Sequence, residues 1–597
     1  MSDLKTDLLI VGAGPAGASL ACFLAEYGLK GTIIAAAPGT AETPRAHITN
    51  MAALECLRDI GLDKACLEIA STSDCMAHTR WCHSMAGEEY GRIYSWGHDP
   101  DKAGIYAAAS ACNHVDLPQT LLEPILVKRA ISRGWDVRFN TTLLRFQEGD
   151  DQITSEVQDG DGRSYKISSK YLFGCDGARS QVVRQLEIPL IKKPGGGLAI
   201  NVYAEVDMTD LMATRVGNLH WFIQPDSEHP PWARMALARM VEPWKKWMFI
   251  VFPDPDVAYT EDPTEEQWLE RIKDFIGDRS RPVKIINISK WNVNEIAAEY
   301  YSQGNVHCLG DAVHRHPPFN GLGSNTCIQD AYNLAWKVAY TMRGRASPSL
   351  LSTYSTERQP VGLGIVTRAN QGFRDHLAVW RALGMTSPSL PARRGAFAEL
   401  NSTTPEGRRR REDLRVAIKG TEKEFHAVGR EMGQQYDKAG SAAVVTDDEP
   451  GPRPDVVPRP DEDMDYVIST YPGSRLPHAW LNTKVPQQQI STNDLAGHAA
   501  FCVLTGPGGD AWKSAAKAVG GRLGVEITAY SIGWGQDYED VYGHWAQRSE
   551  VEEDGCVLVR PDRFVGWRSH ALPEDPARDL ERGLRKILGL QPNDTSS

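Results

Sequence analysis

The sequence predicts a mixed α/β fold, α+β overall, in which a Rossmann-like domain is interleaved with an antiparallel-sheet domain and followed by a small α/β domain. Three observations predict it. A glycine-rich turn lies between two apolar runs near the N-terminus, the stretch 186–289 is strand-like and rich in tryptophan, and a proline- and acid-rich stretch at 447–465 precedes a last series of strands and helices. The 597 residues are enough for three or four domains of ~100–200 residues each.

Composition and charge exclude several kinds of partner. A net charge of −12 argues against a nucleic-acid or anionic-membrane partner. No apolar run approaches the ~18 residues that a membrane span needs, and eleven scattered cysteines without a C-x-x-C pair favour a reducing compartment. The group Cys75, His78, Cys82 and His83 matches no familiar ligand spacing. We therefore expect a cytoplasmic protein without a membrane span, a nucleic-acid partner or a metal.

The first element is a βαβ unit with a nucleotide-binding fingerprint. An apolar strand from Thr6 to Val11 runs into a G-x-G-x-x-G at 12–17, and a helix of small residues and a second apolar run from Thr32 to Ala36 follow. In this context the glycines let the backbone approach a pyrophosphate at the helix N-terminus. The candidate cofactor-binding residues here are Gly12, Gly14, Pro15, Ala16 and Gly17.

One part of this fingerprint is absent. A carboxylate ordinarily closes the second strand and binds the adenosine ribose. Here the strand ends in alanines, and Glu42 is the first acid after it. Either the backbone and water bind the ribose, or Arg45 does so from the following loop.

The next segments alternate between helix and strand. Asp116-Leu117-Pro118-Gln119 opens a helix from Thr120 to Arg133, and a β meander is predicted between Trp135 and Lys170. An apolar strand from Tyr171 then runs into an Asp-Gly turn, so that Asp176 forms an acidic strand end.

The stretch from about 186 to 300 is predicted to form an antiparallel sheet that covers a cofactor and supplies a substrate wall. We predict turns at Gly195-Gly196-Gly197 and at Pro253-Asp254-Pro255. Most of its tryptophans should lie in the core, and one or two should face a ligand. These are Trp221, Trp232, Trp244, Trp247 and Trp291.

The stretch from Leu309 to Lys337 is the most informative. A short apolar strand ends at Gly310-Asp311, which places a carboxylate near a ligand hydroxyl, and Pro317-Pro318 form a stiff wall. Asn320-Gly321-Leu322-Gly323 predicts a tight turn that leads into a helix. The free amides and the positive dipole end of that helix would face a ligand. We interpret the stretch as the binding site of a cofactor that becomes negatively charged.

These motifs together resemble the group A flavoprotein aromatic hydroxylases, and most closely the branch of 2,4-dichlorophenol 6-monooxygenase and phenol hydroxylase. The resemblance rests on GAGPAG at 12–17, PRAHITN at 44–50, LPQTLLEPILVK at 117–128, GCDGARS at 174–180, AVHRHPPFNGLGSN at 312–325 and PGSRLPHAWL at 472–481. It implies FAD as cofactor and NADPH or NADH as cosubstrate. It further implies that O2 hydroxylates a small phenolic substrate, ortho to its hydroxyl, through a C4a-hydroperoxyflavin.

The changes in composition along the chain, together with the resemblance, predict a domain division. The FAD-binding domain would comprise 1–185 and 290–375, the substrate domain 186–289, a helical segment 376–446, a linker 447–465 and a thioredoxin-like domain 466–597. The last domain has only Cys502 and Cys556, far apart. We therefore expect it to have a structural or dimerisation role, in a homodimer or a higher homo-oligomer.

Motif by motif, the resemblance assigns cofactor contacts. The glycines at 12–17 would bind the pyrophosphate, Arg45 and Gln119 the phosphate and ribityl portion, and Asp311 a ribityl hydroxyl. Asp176 and Arg179 belong to a motif used for both FAD and NAD(P)H. The turn beside the proline wall would face the flavin pyrimidine with Pro318, Gly321, Leu322, Gly323, Ser324 and Asn325.

Proton transfer needs a separate group. A phenol with a pKa near ~10 is almost un-ionised at pH 7, so the site must supply a base or a stabilising donor. The resemblance places His47 where related phenol hydroxylases have an acid/base aspartate, and the histidine pKa of ~6.5 suits that role. His314 and His316, beside the proline wall, are the rival candidates. Each of the three could instead make only a structural hydrogen bond.

Other functions stay open at this point. The same machinery could act on a larger phenolic or polyketide-derived ring, or remove a carboxyl group as it hydroxylates. The chain could also be a flavin reductase or dehydrogenase of related fold, or a nucleotide-binding regulatory protein. The residues at 44–50 and 312–325 favour the aromatic hydroxylases, and NAD(P)H oxidation that accelerates when a phenol is added would discriminate between these classes.

Overall fold

The structure is a computed structural model that describes residues 3–387, 389–453 and 461–591. Two large sheets, one of six strands and one of eight, lie in its N-terminal two-thirds, and a four-stranded sheet lies near the C-terminus. The described α-helices are Pro15–Glu26, Met51–Asp59, Asp63–Ile69, Ala103–Ala109, Gln119–Ser132, Gln181–Gln185, Thr209–Arg215, Glu265–Ile276, Gly323–Met342, Ser349–Ala382, Leu390–Leu400, Pro405–Gly420, Val428–Met432, Asp510–Leu523, His544–Arg548 and Pro576–Leu588.

The six-stranded sheet is the Rossmann-like part of the fold. Its strands, in spatial order, are Ser302–Gln303, Val306–Cys308, Tyr171–Gly174, Leu8–Val11, Thr32–Ile34 and Asp136–Arg138. All neighbours are parallel except the first pair. The strand Leu8–Val11 is buried along its whole length, as an uninterrupted apolar run predicts for a parallel strand covered on both faces. Helix Pro15–Glu26 packs on helices Gln119–Ser132 and Gly323–Met342. The predicted βαβ unit is confirmed.

A four-stranded sheet flanks this domain. It consists of Thr142–Glu148, Ile153–Gln158 and Ser164–Ser169, which form an antiparallel meander, and of Leu4–Lys5, which pairs in parallel with the last of them. Alternate residues of Ile153–Gln158 are buried, the pattern of a strand with one face on the core. The meander predicted between 135 and 170 is therefore present.

The eight-stranded sheet contains the antiparallel strands predicted for the stretch from about 186 to 300. Its strands, in spatial order, are His314–Arg315, Lys284–Ala298, Leu190–Glu205, Lys246–Phe252, Met235–Glu242, Leu219–Phe222, His78–Cys82 and Glu89–Tyr94. One pair, Leu219–Phe222 with His78–Cys82, is parallel, and the other pairs are antiparallel. Two strands come from before residue 186 and one extends to Ala298, so the sheet is wider than the range 186–289. The division into domains stays a proposal.

The turn predicted at Gly195-Gly196-Gly197 is wrong. The three glycines lie inside the long strand Leu190–Glu205, where the pairing with Lys284–Ala298 shifts register between Lys193 and Gly197. A Cβ atom on Gly195 would lie 2.0 Å from the carbonyl oxygen of Val293. The glycines therefore permit close approach of the neighbouring strand at an irregularity, which a single segment of sequence cannot distinguish from a turn.

The C-terminal part has the expected thioredoxin-like arrangement. Its sheet has the order Ile527–Ser531, Phe501–Thr505, Cys556–Val559 and Val565–Ser569, with the first pair parallel and the others antiparallel. Helices Asp510–Leu523 and Pro576–Leu588 pack against each other beside it. The predicted linker at 447–465 falls partly on 454–460, outside the described residues. Within the described ranges, no helix is both long and apolar enough to cross a membrane.

Candidate active site

The glycine-rich turn at 12–17 has the shape that a dinucleotide pyrophosphate needs. Gly12 has a φ of +112°, and a Cβ there would lie 2.1 Å from the carbonyl oxygen of Cys175. A Cβ on Gly17 would lie 2.0 Å from the carbonyl oxygen of Gly12. At Gly14 the nearest atom would be 3.8 Å away, so the start of helix Pro15–Glu26, with Pro15 and Ala16 in its first turn, is open to a ligand. Close backbone packing therefore requires glycine at positions 12 and 17, whereas Gly14 leaves room for a phosphate group.

A second segment borders this turn. Gln119 donates its backbone N–H to the carbonyl of Ala46 at 2.8 Å and its side-chain amide to Glu123 Oε1 at 2.5 Å. The other oxygen of Glu123 accepts the backbone N–H of Ala41 at 2.6 Å. The structure thus brings Gln119 and the loop that carries the exposed Arg45 beside Gly14. Glu123 was not predicted, although it lies on the same helix face as Gln119, four residues further along.

The turn at 318–325 leads into the N-terminus of a second helix. Pro318 is exposed, Gly321 has a φ of +58°, and helix Gly323–Met342 begins immediately afterwards. The first backbone bond back along this helix is from Thr326 N–H to the carbonyl of Leu322, at 2.9 Å. The amides of Gly323, Ser324 and Asn325 therefore come before the intrahelical hydrogen bonds begin, as is usual at a helix N-terminus, and suit an anion.

The side chain of Asn325 connects this turn to the loop that carries His47. Its Oδ1 accepts the backbone N–H of Asn50 at 3.0 Å. Its Nδ2 donates to the carbonyls of Ile48, at 2.8 Å, and Gly321, at 2.5 Å. Asn325 is buried, so water does not compete for these bonds. The predicted cofactor turn and the loop at 47–50 are thereby held together.

The two acidic strand ends also meet. The segment Gly177–Arg179 packs on Gly310–Ala312, which brings Asp176 near Asp311. The Asp176 carboxylate is occupied by its own turn, because it accepts hydrogen bonds from Ser180 Oγ at 2.5 Å and from the backbone N–H groups of Gln181 and Val182. Asp311 and Arg179 are exposed, and their side chains are free to contact a ligand.

His47 lies in a buried polar network. It is 8% exposed, and its Nδ1 is 3.4 Å from Asp116 Oδ1. The other oxygen of Asp116 accepts hydrogen bonds from Asn218 Nδ2 at 2.8 Å and Arg239 Nη2 at 3.0 Å. Burial lowers the pKa of His47 below its ordinary value, against an opposing effect of Asp116. Burial alone would raise the pKa of Asp116, but Arg239, His47 and Asn218 together hold it below its ordinary value. At neutral pH the pair is a neutral imidazole facing a carboxylate.

The rival histidines have different surroundings. His314 is fully buried, and its Nε2 lies 2.8 Å from Asp330 Oδ2, while Arg358 donates to Asp330 Oδ1 at 2.7 Å. This network joins His314 to helices Gly323–Met342 and Ser349–Ala382, which carry Asp330 and Arg358. The partly buried His316 has its Nδ1 2.7 Å from the carbonyl of Pro317. Its ring borders Gly323, and burial lowers its pKa. His316 borders the turn directly, the loop that carries His47 is bonded to the turn through Asn325, and His314 stacks on His316 while it is bonded to Asp330.

An aromatic cluster lies between the eight-stranded sheet and helix Ser349–Ala382. Its members are Trp221, Phe252, Phe319, Phe373, His376 and Trp380. Phe319 stacks on Trp221 with ring centroids 6.1 Å apart. The ring centroid of His376 lies 4.3 Å from that of Trp221. His376 Nε2 is 2.7 Å from Glu424 Oε2. In the described part of the chain, His376 Nδ1 and the indole N–H groups of Trp221 and Trp380 have no hydrogen-bond partner. The cluster thus combines aromatic rings with three unpaired polar atoms, and we take it as the candidate site for an aromatic ligand.

Sequence reasoning missed several of these residues. Asn218, Arg239 and His376 belong to no recognisable motif: Asn218 precedes strand Leu219–Phe222, Arg239 lies within strand Met235–Glu242 and His376 within helix Ser349–Ala382. Asp116 was visible only as the residue that precedes the Leu117-Pro118-Gln119 motif. Asp116 and His47 are far apart in the sequence, so their contact could not be predicted from it.

Comparison with known proteins agrees with this geometry. Residues 5–369 match the FAD binding domain family, and residues 469–590 match the family of the aromatic-ring hydroxylase C-terminal domain. A 2,4-dichlorophenol 6-monooxygenase of Cupriavidus pinatubonensis is 43% identical over 597 residues, covering 100% of this chain and 98% of the relative. A phenol 2-monooxygenase of a Pseudomonas species is 40% identical over 593 residues, covering 97% of this chain and 92% of the relative.

A solved structure extends the likeness to three dimensions. The flavin-dependent monooxygenase PieE, in complex with FAD and substrate, has a TM-score of 0.92 and 37% identity, covering 99% of this chain and 100% of that one. The open glycine turn, the helix start at 323 and the exposed Asp311 are compatible with a bound FAD. The chain therefore belongs to the FAD-dependent aromatic-ring hydroxylases, monooxygenases that use NAD(P)H as cosubstrate.

Proposed function

We propose that the protein hydroxylates a small phenol, ortho to its hydroxyl group, with O2 and with NADH or NADPH. The two relatives named for phenol and dichlorophenol, which align over nearly the whole chain, support this substrate class. The single observation that carries the proposal is the position of His47, a buried neutral base that Asn325 holds beside the cofactor turn.

The residues divide the work as follows. When bound, FAD would supply the redox chemistry that links NAD(P)H to O2. The glycines at 12–17, Gln119 and Asp311 bind the cofactor, while Arg45 and Arg179 offer cationic groups to its phosphates or to those of NAD(P)H. The amides of 323–325 stabilise negative charge, by about 0.3–2 kcal/mol for a helix N-terminus. The aromatic cluster holds the phenol ring and excludes water, which would otherwise divert the reaction to hydrogen peroxide.

His47 is the general base in this proposal. Its ring is neutral at pH 7, and in the described residues its Nε2 makes no hydrogen bond, whereas Nδ1 faces Asp116. His314 has no exposed surface and is held by Asp330, so we assign it a structural role. His316 is closer to the turn, and its Nε2 is buried without a partner. We assign it to the cofactor side of the site because it borders Gly323.

The test of the function is the response of the FAD-loaded protein to phenols. We expect phenol or 2,4-dichlorophenol to accelerate the oxidation of NADH or NADPH, with O2 consumed and a catechol formed. Oxidation that passes electrons to an added acceptor, without O2 and without a phenol, would instead identify a reductase. A product hydroxylated at another ring position would refute the ortho assignment, and turnover of large phenolic rings alone would identify a polyketide-type hydroxylase.

His47→Gln tests the base. Protonation of His47 should cause the acid limb of kcat/KM, and since burial lowers its pKa, that limb should lie below about pH 6.5. The variant should lose the limb, and kcat/KM at pH 7 should fall about 100-fold, the lower end for general-base catalysis. His316→Gln is the matched control, which should retain the limb. An unchanged profile in His47→Gln would refute the role.

The cellular setting and assembly are also proposals. We propose a cytoplasmic homodimer or higher homo-oligomer in which the C-terminal domain has a structural role. The eleven cysteines, all free, support a reducing compartment. Light scattering of the purified protein would decide the oligomeric state, and a monomer would refute it.

A further inference from the structure

We propose that Asp116 is the positioning residue of the base: it holds the imidazole of His47 with its proton on Nδ1, so that Nε2 receives the proton of the phenol. This inference rests on the proposed function, because it assumes that His47 acts on a phenolic hydroxyl. It adds a role for Asp116 and for the two residues of the sheet that bind it.

The backbone sets the distance between the two side chains. Ile48–Thr49 and Val115–Asp116 form a short antiparallel pair in which Ile48 lies opposite Asp116. Beside this pair, Leu117 donates its N–H to the carbonyl of His47 at 2.7 Å. The side chains then approach to 3.4 Å, from Nδ1 to Oδ1. Among the described residues neither atom has a hydrogen-bond partner, although both are buried. Each is therefore available to the other alone.

The eight-stranded sheet orients the carboxylate. Asn218 and Arg239 both donate to Oδ2, which leaves Oδ1 for His47. The two donors come from adjacent regions of the sheet, since Met240 N–H binds the carbonyl of Asn218 at 2.9 Å. The pair of His47 and Asp116, called the dyad below, therefore joins the loop at 47–50 to the eight-stranded sheet. A carboxylate that only stabilised the fold would not need one oxygen directed at an unpaired imidazole nitrogen.

Proton transfer follows from this arrangement. The O–H bond of the phenol breaks, the proton forms a new bond to His47 Nε2, and the electron pair stays on the phenolate oxygen. The imidazolium then donates from Nδ1 to Asp116, and the contact of 3.4 Å can shorten to the ~2.7–2.9 Å of a charge-assisted hydrogen bond. Asp116 stays unprotonated throughout, and the proton leaves His47 for solvent after turnover.

Few charged groups surround the dyad. Asp116 and Arg239 act on His47, with opposite signs. Asp116 also faces Cys75, whose pKa is raised, mainly by burial, so that the thiol is neutral. Replacing Asp116 by asparagine removes the charge that raises the pKa of His47 and keeps Arg239, which lowers it, so the pKa of His47 should fall.

The test is a titration of His47 in the FAD-loaded protein without substrate, followed by exchange of its C2–H for deuterium and mass spectrometry at a series of pH values. We expect Asp116→Asn to lower the pKa of His47 by about 1 unit or more, the usual effect of a charge within 4–6 Å. Asp494→Asn, which removes a carboxylate paired with Arg58 away from the site, should leave it unchanged. An equal His47 pKa in wild type and Asp116→Asn would overturn the proposal.

Kinetics give a second and separate readout. Asp116→Asn should lower kcat/KM for phenol at least about tenfold and move its acid limb to lower pH, and in a His47→Gln background it should have almost no further effect. An additive loss would overturn the proposal. If Asp116→Asn does not fold, Asp116→Asn combined with Arg239→Gln removes both buried charges, and wild-type kcat/KM in that variant would overturn it. A wild type that hydroxylates no phenol would refute the proposed function, whereas the titration still decides whether Asp116 controls His47.

Discussion

Replacing Glu357 by glutamine removes the centre of a buried ion network between the cofactor-binding and C-terminal domains. Glu357 is fully buried. It accepts hydrogen bonds from Asn333 Nδ2 and Lys337 Nζ, both at 2.6 Å, and from Arg560 Nη1 and Nη2, at 2.6 and 2.9 Å. Arg560 also pairs with the buried Asp562. Glutamine keeps the size of the side chain but not its charge, so two buried cations would face one anion.

The magnitude follows from this imbalance. Removing one partner of a buried ion pair destabilises a protein by about 3–5 kcal/mol. At about 2–4 °C per kcal/mol for a unit of 150–250 residues, the apparent melting temperature should fall by roughly 6–20 °C. Helix Gly323–Met342 carries Asn333 and Lys337 and begins at the cofactor turn. Loss of the network should therefore release FAD at the lower temperature as well.

The effect should depend on pH through Lys337. Burial lowers its pKa to about 8, while Glu357 opposes the shift. Without Glu357 the pKa falls further. A lysine whose pKa is lower in the folded than in the unfolded state leaves the unfolded chain with the extra proton, so stability rises with pH between the two values. The penalty of Glu357→Gln should accordingly be smaller at pH 9 than at pH 7.

The assay is a thermal scan of the FAD-loaded protein that records circular dichroism and the fluorescence of released flavin together. Glu156→Gln is the control, since the pair of Glu156 with the exposed Arg145 should contribute no more than about 1 kcal/mol. A melting temperature for Glu357→Gln that equals that of the control would refute the reasoning. A loss of melting temperature in Glu357→Gln that is larger at pH 9 than at pH 7 would also refute it.

Three further predictions concern the site. Phe319→Ala opens the aromatic cluster beside Trp221; it should cost about 3–5 kcal/mol of stability and raise the hydrogen peroxide released per NAD(P)H, and unchanged coupling would contradict it. Asn325→Ala removes two buried hydrogen bonds between the turn and the loop at 47–50 and a third within the turn, to the carbonyl of Gly321; at about 0.5–1.5 kcal/mol each, it should lower the melting temperature and kcat together. Glu123→Ala frees Gln119 and the loop at Ala41; it should weaken FAD binding about tenfold, or ~1.4 kcal/mol, measured by flavin fluorescence, and wild-type affinity would contradict it.

The parts predicted from sequence are those that depend on short stretches of chain. The βαβ unit and the turn at 320–323 each arise within one continuous stretch of chain, where apolar periodicity and glycine determine the backbone. The triple glycine at 195–197 is as strong a local signal, yet the prediction of a turn was wrong. Its conformation depends on the carbonyl of Val293 in a partner strand, which lies far away in sequence.

The contacts of His47, the predicted catalytic residue, also depend on segments that are distant in the sequence. His47 could be named from the resemblance, but its partner could not, because Asp116 reaches it only through the pairing of Ile48–Thr49 with Val115–Asp116. His314 looked equivalent to His316 in sequence, two positions away beside the proline wall. Only the packing of helix Ser349–Ala382, which supplies Arg358 to Asp330, distinguishes them.

The interleaved chain fixes the position of the proposed base, His47. The loop at 47–50 belongs to the first part of the cofactor-binding domain. Asn325, from the second part, fastens it on one side, and Asn218 and Arg239, from the intervening sheet, fasten Asp116 on the other. A base on this loop therefore keeps its position relative to both the cofactor turn and the substrate wall. A base on either part alone would move with that part, and the distance from the proton acceptor to the ring that reacts would vary with every motion between them.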